Sequence, residues 1–176
     1  TDPSGFFFSD LKKAWNKIRP FVGIIVATVL TIFAPQGAGF WYATFVGAAS
    51  GAAGAAANGG NILRGAFTGA VTAAAFYGVG KYFSKLGGQA GQIASHAVTG
   101  GVLAELQGGK FGHGFVSAGF TKGVTGSGIT EMGNGPGAIF GETVAAAVVG
   151  GTVSEMTGGK FASGAQTAAF AYLFNQ

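Results

Sequence analysis

The sequence predicts an all-α protein: glycine-rich helical hairpins in about three repeats of about 50 residues, behind a basic amphipathic helix and an apolar helix. Three observations carry this. First, Gly100-Gly101-Val102-Leu103-Ala104-Glu105-Leu106-Gln107-Gly108-Gly109-Lys110-Phe111 returns as Gly150-Gly151-Thr152-Val153-Ser154-Glu155-Met156-Thr157-Gly158-Gly159-Lys160-Phe161. A looser copy lies upstream, with Gly51, Gly59-Gly60 and Gly65 answering to Gly100, Gly108-Gly109 and Gly114. Second, small residues recur every fourth position, which lines them along one face of a helix. Third, apolar residues are spaced by three and four, not by two as in a half-buried strand.

Composition narrows the class. Only 9% of residues are charged and glycine is 35 of 176, against roughly 25% and 7% in ordinary soluble domains. With 48% hydrophobic residues and a mean hydropathy of +0.44, disorder through low hydrophobicity is excluded. Collagen is excluded too, since glycine does not fall at every third position and there are four prolines. A net charge of +4 favours anionic partners. The lack of cysteine removes disulfides, thiol catalysis and cysteine-ligated zinc. The start at Thr1, without methionine or signal peptide, reads as a piece of something longer.

In order, residues 1–20 form a junction and a basic amphipathic helix, 21–45 an apolar membrane-seeking segment, and 46–176 the glycine-striped hairpins. Asp2, Pro3 and Gly5 open the chain; one reading is a turn in which Asp2 caps and Pro3 takes the first helical position. From Phe6 to Arg19, Phe7, Leu11, Ala14 and Ile18 recur at helical spacing, widened by Phe8 and Trp15. Lys12, Lys13, Lys17 and Arg19 lie opposite, as on a helix resting on an anionic membrane surface. Docking on the chain's own core is the other reading. Pro20 ends the helix.

No charged side chain occurs from Pro20 to Leu63. Phe21 to Tyr42 is expected to span a bilayer as one proline-kinked helix, with basic residues at one end and Trp41-Tyr42 at the other. The alternative is a buried core helix over Phe21 to Ala34. Gly47, Gly51, Gly65 and Gly69, then Gly114, Gly137, Gly141 and Gly164, are expected at helix–helix contacts of the small-xxx-small kind. Each unit reads as helix, Gly-Gly break, helix: Gly91–Leu106 and Phe111–Thr121 in one, Gly141–Met156 and Phe161–Phe174 in the next, with a turn-rich linker from Val124 to Gly137.

Catalytic candidates are few. His96, Glu105, Lys110 and His113 form the available acid–base group, such as a small nuclease would use. Glu105 and Lys110 recur as Glu155 and Lys160, however, where neither histidine recurs, so they read as structural. No residues stand at metal-ligand spacing, no phosphate loop occurs, and no cofactor is expected.

Two stretches carry a family resemblance. Asp2-Pro3-Ser4-Gly5 resembles the motif that closes the conserved core of Rhs-repeat proteins, with Phe6 where that family has leucine. Gly108-Gly109-Lys110-Phe111-Gly112-His113-Gly114-Phe115 and the run from Gly150 to Ala162 resemble C-terminal segments of Rhs-repeat and hemagglutinin-type bacterial secreted proteins. The resemblance implies a polymorphic toxin delivered into a target cell, an encapsulating Rhs core, a cognate immunity protein and self-cleavage at Asp2, Pro3 and Gly5. It carries over no catalytic residue.

The expected function is permeabilisation of a target-cell membrane. The basic helix settles on lipid, the apolar segment inserts, and the hairpins pack in the bilayer, as one chain or a homo-oligomer, with Arg64, Lys81 and Lys85 marking polar ends. Nucleic acid is not the expected partner. A soluble nuclease using His96, Glu105 and His113 is the alternative, and a packing or translocation module the third. The chain's end soon after the last repeat, at Gln176, speaks against the third.

Overall fold

The computed structural model describes residues 3–83 and 87–175, with side chains from residue 7 onward. Among the described residues the fold is all-helical. Helix α1 (Pro3–Ile18) passes through a 3-10 turn (Arg19–Phe21) into α2 (Val22–Ile32). There follow α3 (Phe40–Ala57), α4 (Ile62–Gly78) with a π turn at Val79–Phe83, α5 (Gly88–Leu106), α6 (Phe111–Thr125), α7 (Pro136–Met156) and α8 (Phe161–Leu173).

The helix ends follow from glycine chemistry. α3, α5 and α7 each stop in the same two-bond arrangement. Gly59, Gly108 and Gly158 take φ of 70°, 82° and 87°, a conformation that side chains disfavour. The amides of Gly60, Gly109 and Gly159 then donate back to Ala55, Ala104 and Ser154 carbonyls at 2.7, 2.8 and 2.7 Å. This pairing satisfies carbonyls that a helix end otherwise leaves free. The next helix starts at once, α4 with the Asn61 side chain accepting from the Arg64 amide at 2.8 Å. Its counterparts α6 and α8 begin after Lys110 and Lys160, which have extended backbones and no side-chain cap.

Each of these loops folds its helices back along one another, and small residues form the seam. Gly47 meets the Gly69 backbone and Ala73, while Gly51 meets Gly65. The order reverses between the strips, so α3 and α4 run antiparallel. A Cβ on Gly100 would lie 2.7 Å from the Gly114 carbonyl oxygen, and one on Gly150 would lie 2.8 Å from that of Gly164. Real side chains do not fit there. The second glycine of each pair has another task. The rings of Phe111 and Phe161 rest on Gly101 and Gly151, within 2.6 and 2.7 Å of where a Cβ would stand. Gly137 and Gly141 depart from expectation: Gly137 faces open space, and Gly141 meets only the Met132 thioether. The α7 seam runs through Gly150 and Ser154 instead.

Helix α8 is the centre of the molecule, touching α2, α4, α5, α6 and α7. Its Ala165, Ala168, Ala169, Phe170 and Leu173 are buried, with Ile24, Ala27, Val46 and Phe76 of the surrounding helices. Two polar ties fix the layers. Ser117 of α6 donates to the Gly150 carbonyl of α7 at 2.9 Å. Asn58 donates to the Arg19 carbonyl at 2.9 Å, holding the bend before α2 against the end of α3.

Several boundaries differ from the sequence reading: α5 begins at Gly88, three residues before the expected Gly91, and Pro20 bends the chain through a 3-10 turn without ending its helical course. Phe21 to Tyr42 is not one helix, because residues 33–39 form a loop around Pro35, with Gly37 at φ 77°. Helix α7 begins at Pro136, five residues before the expected Gly141, with Gly135 at φ 105° ahead of it. Helix α6 runs on to Thr125, so the linker starts at Gly126.

Candidate functional site

Many large apolar side chains lie outside and the helix–helix seams are built of small ones, around a core that also holds Phe76, Leu103, Phe170, Leu173 and Phe174. The interior seams hold glycine, alanine, serine and threonine, with alanine the commonest member of the buried apolar set. Outside stand Phe33, Trp41, Leu63, Phe67, Ile129 and Met156, each more than 70% exposed. A water-soluble helical domain buries such residues preferentially. Exposed apolar surface on this scale marks a contact face.

The basic helix α1 stands free of the rest. Every residue from Phe7 to Ile18 is exposed, apolar stripe and basic stripe alike, and the main contact of α1 is with the 3-10 turn that follows it. Over these residues α1 is not docked on the core. Lys12, Lys13, Trp15 and Lys17 are all exposed, with Arg19 half-buried at the bend. Lys13 reaches Asp10 at 3.2 Å on the same face, a pair too exposed to contribute much. Pro3 is the first helical residue and Gly5 lies in the first turn, while Asp2 lies outside the described residues.

Among the described residues three helices are long and apolar enough to cross a membrane: Phe7–Ile32, Ile62–Phe83 and Pro136–Met156. The first takes the place of the expected Phe21–Tyr42 span, since the chain is helical back through Pro20 but broken at Pro35. Trp41 is 81% exposed. Tyr42, expected beside it at a membrane boundary, turns inward and donates to the Leu30 carbonyl at 2.7 Å. It ties α3 to α2. Arg64 and Lys81 lie near opposite ends of the second span, both exposed. Seventeen positions of helix separate them by roughly 26 Å, close to the hydrocarbon thickness of about 30 Å. Lys85 lies outside the described residues.

The acid–base group does not assemble. His96 is 2% exposed in the middle of α5 and stacks on Phe76 at 5.7 Å. Glu105 is exposed nine positions further along the same helix, about 13 Å away along the axis. His113, in the first turn of α6, is half-buried against Gly159 in a groove with Lys110 and Lys160. Among the described residues no group of histidines and carboxylates is placed to hold a metal ion.

His96 has surroundings of its own that the sequence did not reveal. It lines a cavity of about 160 Å³ with Thr121, Lys122 and Thr125 of α6 and Ala171, Tyr172 and Asn175 at the end of α8. Burial first and the neighbouring Lys122 ammonium second lower its pKa from 6.5 to about 4, with the Asn175 side chain acting in the opposite sense. Burial also lowers the pKa of Lys122. His96 Nδ1, Thr121 Oγ1 and Asn175 Oδ1 are buried without a hydrogen-bond partner.

Comparison with known families, curated proteins and solved structures finds no match to this chain.

Proposed function

We propose that this chain is the C-terminal effector of a secreted Rhs-type bacterial toxin that inserts into the target-cell membrane and permeabilises it. The observation that carries the membrane reading is the pairing of seams of glycine, alanine and serine with many large apolar side chains turned outward, Phe33, Trp41, Leu63 and Ile129 among them. Lipid removes the hydrophobic drive between helices, so close approach of small residues does the packing and large apolar side chains face the solvent. The Rhs setting rests on the sequence resemblance.

The steps follow the charge. Helix α1 meets anionic lipid through Lys12, Lys13, Lys17 and Arg19, with Phe7, Phe8, Leu11 and Trp15 entering the acyl boundary. Its continuation α2 then inserts, followed by Ile62–Phe83 and Pro136–Met156. We take the three antiparallel pairs α3–α4, α5–α6 and α7–α8 as copies of one repeated hairpin unit, which keep their seams as their outer faces exchange water for lipid. The leak forms where hairpins of one chain, or of several in a homo-oligomer, meet around a polar path. Before delivery the Rhs core encloses this surface, and in the producing cell the immunity protein blocks it.

The test is dye release from anionic liposomes, together with a potential-sensitive dye in cells expressing the chain. Release and depolarisation at doses that kill are the expected result. Killing without either overturns the membrane reading. His113→Ala separates it from the nuclease alternative: toxicity persists in a membrane-active protein and is lost if His113 serves catalysis.

A further inference from the structure

We propose that the cavity between α5, α6 and the end of α8 binds one small monovalent anion, a halide or a short carboxylate, with the Lys122 ammonium as its counter-charge. This inference is independent of the membrane reading.

Three buried polar atoms without partners, His96 Nδ1, Thr121 Oγ1 and Asn175 Oδ1, belong to residues that line one cavity. Native proteins leave few such groups unpaired, and their convergence marks a place that something else fills. Water can satisfy the neutral groups. It does not neutralise Lys122, which is half-buried, and among the described residues no carboxylate lines the cavity. Glu142, the carboxylate nearest in the bonding network, accepts from the Tyr172 hydroxyl at 2.7 Å and from the Met132 amide at 2.8 Å.

The donor inventory fits an anion. Thr121 contributes an O–H, and Lys122 contributes charged N–H groups that strengthen a bond to an anion. Neutral His96 donates from Nδ1 in one of its two tautomers. Turning the Asn175 amide over presents its N–H group in place of the oxygen, two settings that differ only in the hydrogen-bond network. The volume of about 160 Å³ admits a halide or formate with accompanying water, and is too small for a nucleotide. A cation is disfavoured by Lys122.

The test uses the full chain with chloride and formate as probes. Chloride-35 NMR line broadening is expected to saturate, to be competed away by formate, and to weaken roughly tenfold or more in Lys122→Met. Lys12→Met, on exposed α1, serves as the control and leaves it unchanged. Nitrogen-15 shifts of His96 are expected to move toward the Nδ1-protonated tautomer as chloride is added. Equal broadening in Lys122→Met and the parent overturns the proposal and leaves a water-filled cavity. Should Lys122→Met not fold, the parent protein decides: His96 shifts indifferent to both anions up to about 0.15 M overturn it.

Discussion

Gly69→Ala is the sharpest probe of how the helices are held. A Cβ at Gly69 falls on the Gly47 carbonyl oxygen, 2.9 Å from the Gly47 carbonyl carbon and 3.1 Å from Gly51 Cα. All three are backbone atoms, so no rotamer change relieves the overlap, and α3 and α4 must part by about 1 Å. Overpacking of this kind costs about 1–3 kcal/mol. Alanine returns about 1 kcal/mol through its better helix propensity, which leaves a net loss of about 1 kcal/mol. Gly112→Ala is the matched control, because nothing lies within 4 Å of a Cβ there and the propensity gain of about 1 kcal/mol stands alone. The two variants should therefore differ by about 2 kcal/mol, or roughly 4–8 °C in thermal midpoint for a domain of this size. Far-UV circular dichroism during heating reads this directly. Equal midpoints for the two variants would refute the reasoning, since the seam would then tolerate a side chain.

Other expectations follow from single contacts. Ser117→Ala removes the α6–α7 bond to the Gly150 carbonyl and should cost about 1 kcal/mol in chemical denaturation; an unchanged midpoint would mean that the bond contributes nothing net. His96 has its pKa lowered in the fold from 6.5 to about 4, so the unfolded chain binds more protons between those values. Its contribution is complete above pH 6.5 and is lost as pH falls towards 4, by about 3 kcal/mol. His96→Gln should flatten stability over that window relative to the parent, and parallel curves for the two proteins would contradict the assignment. Replacing Lys12, Lys13 and Lys17 together by Gln should weaken sedimentation with anionic vesicles by about 1 kcal/mol per lysine and leave neutral vesicles unaffected. Unchanged binding to anionic vesicles would remove α1 from the membrane mechanism.

Local signals fared well where the backbone itself decided the outcome. Gly108-Gly109 and Gly158-Gly159 end their helices because positive φ suits glycine, and Phe111 and Phe161 begin the next. The loop over 33–39 was legible too, in Pro35-Gln36-Gly37, but the absence of charge on both sides obscured it. Hydropathy takes no account of a turn, and a 22-residue apolar run therefore read as one helix. Gly137 and Gly141 misled for a different reason. Spacing places residues on a face without saying what lies opposite: Gly137 meets nothing within 4 Å, and the nearest atoms to Gly141 are those of the Met132 side chain. The cavity at His96 had no local signature at all. Its lining comes from α5, α6 and the end of α8, at positions from 96 to 175 in the chain, and only tertiary packing brings them together.

A seam made of backbone has a consequence for transfer between solvents. Where Gly51 lies on Gly65 and Gly100 on Gly114, the attraction is dispersion supplemented by weak Cα–H···O contacts. Neither depends on expelling water, in contrast to a leucine core, whose cohesion disappears once hydrocarbon surrounds it. No side chain in the seam has to choose a new rotamer when the medium changes. Each antiparallel pair is thus a rigid cassette whose inner joint is indifferent to its surroundings, and the environment acts only on its outer wall.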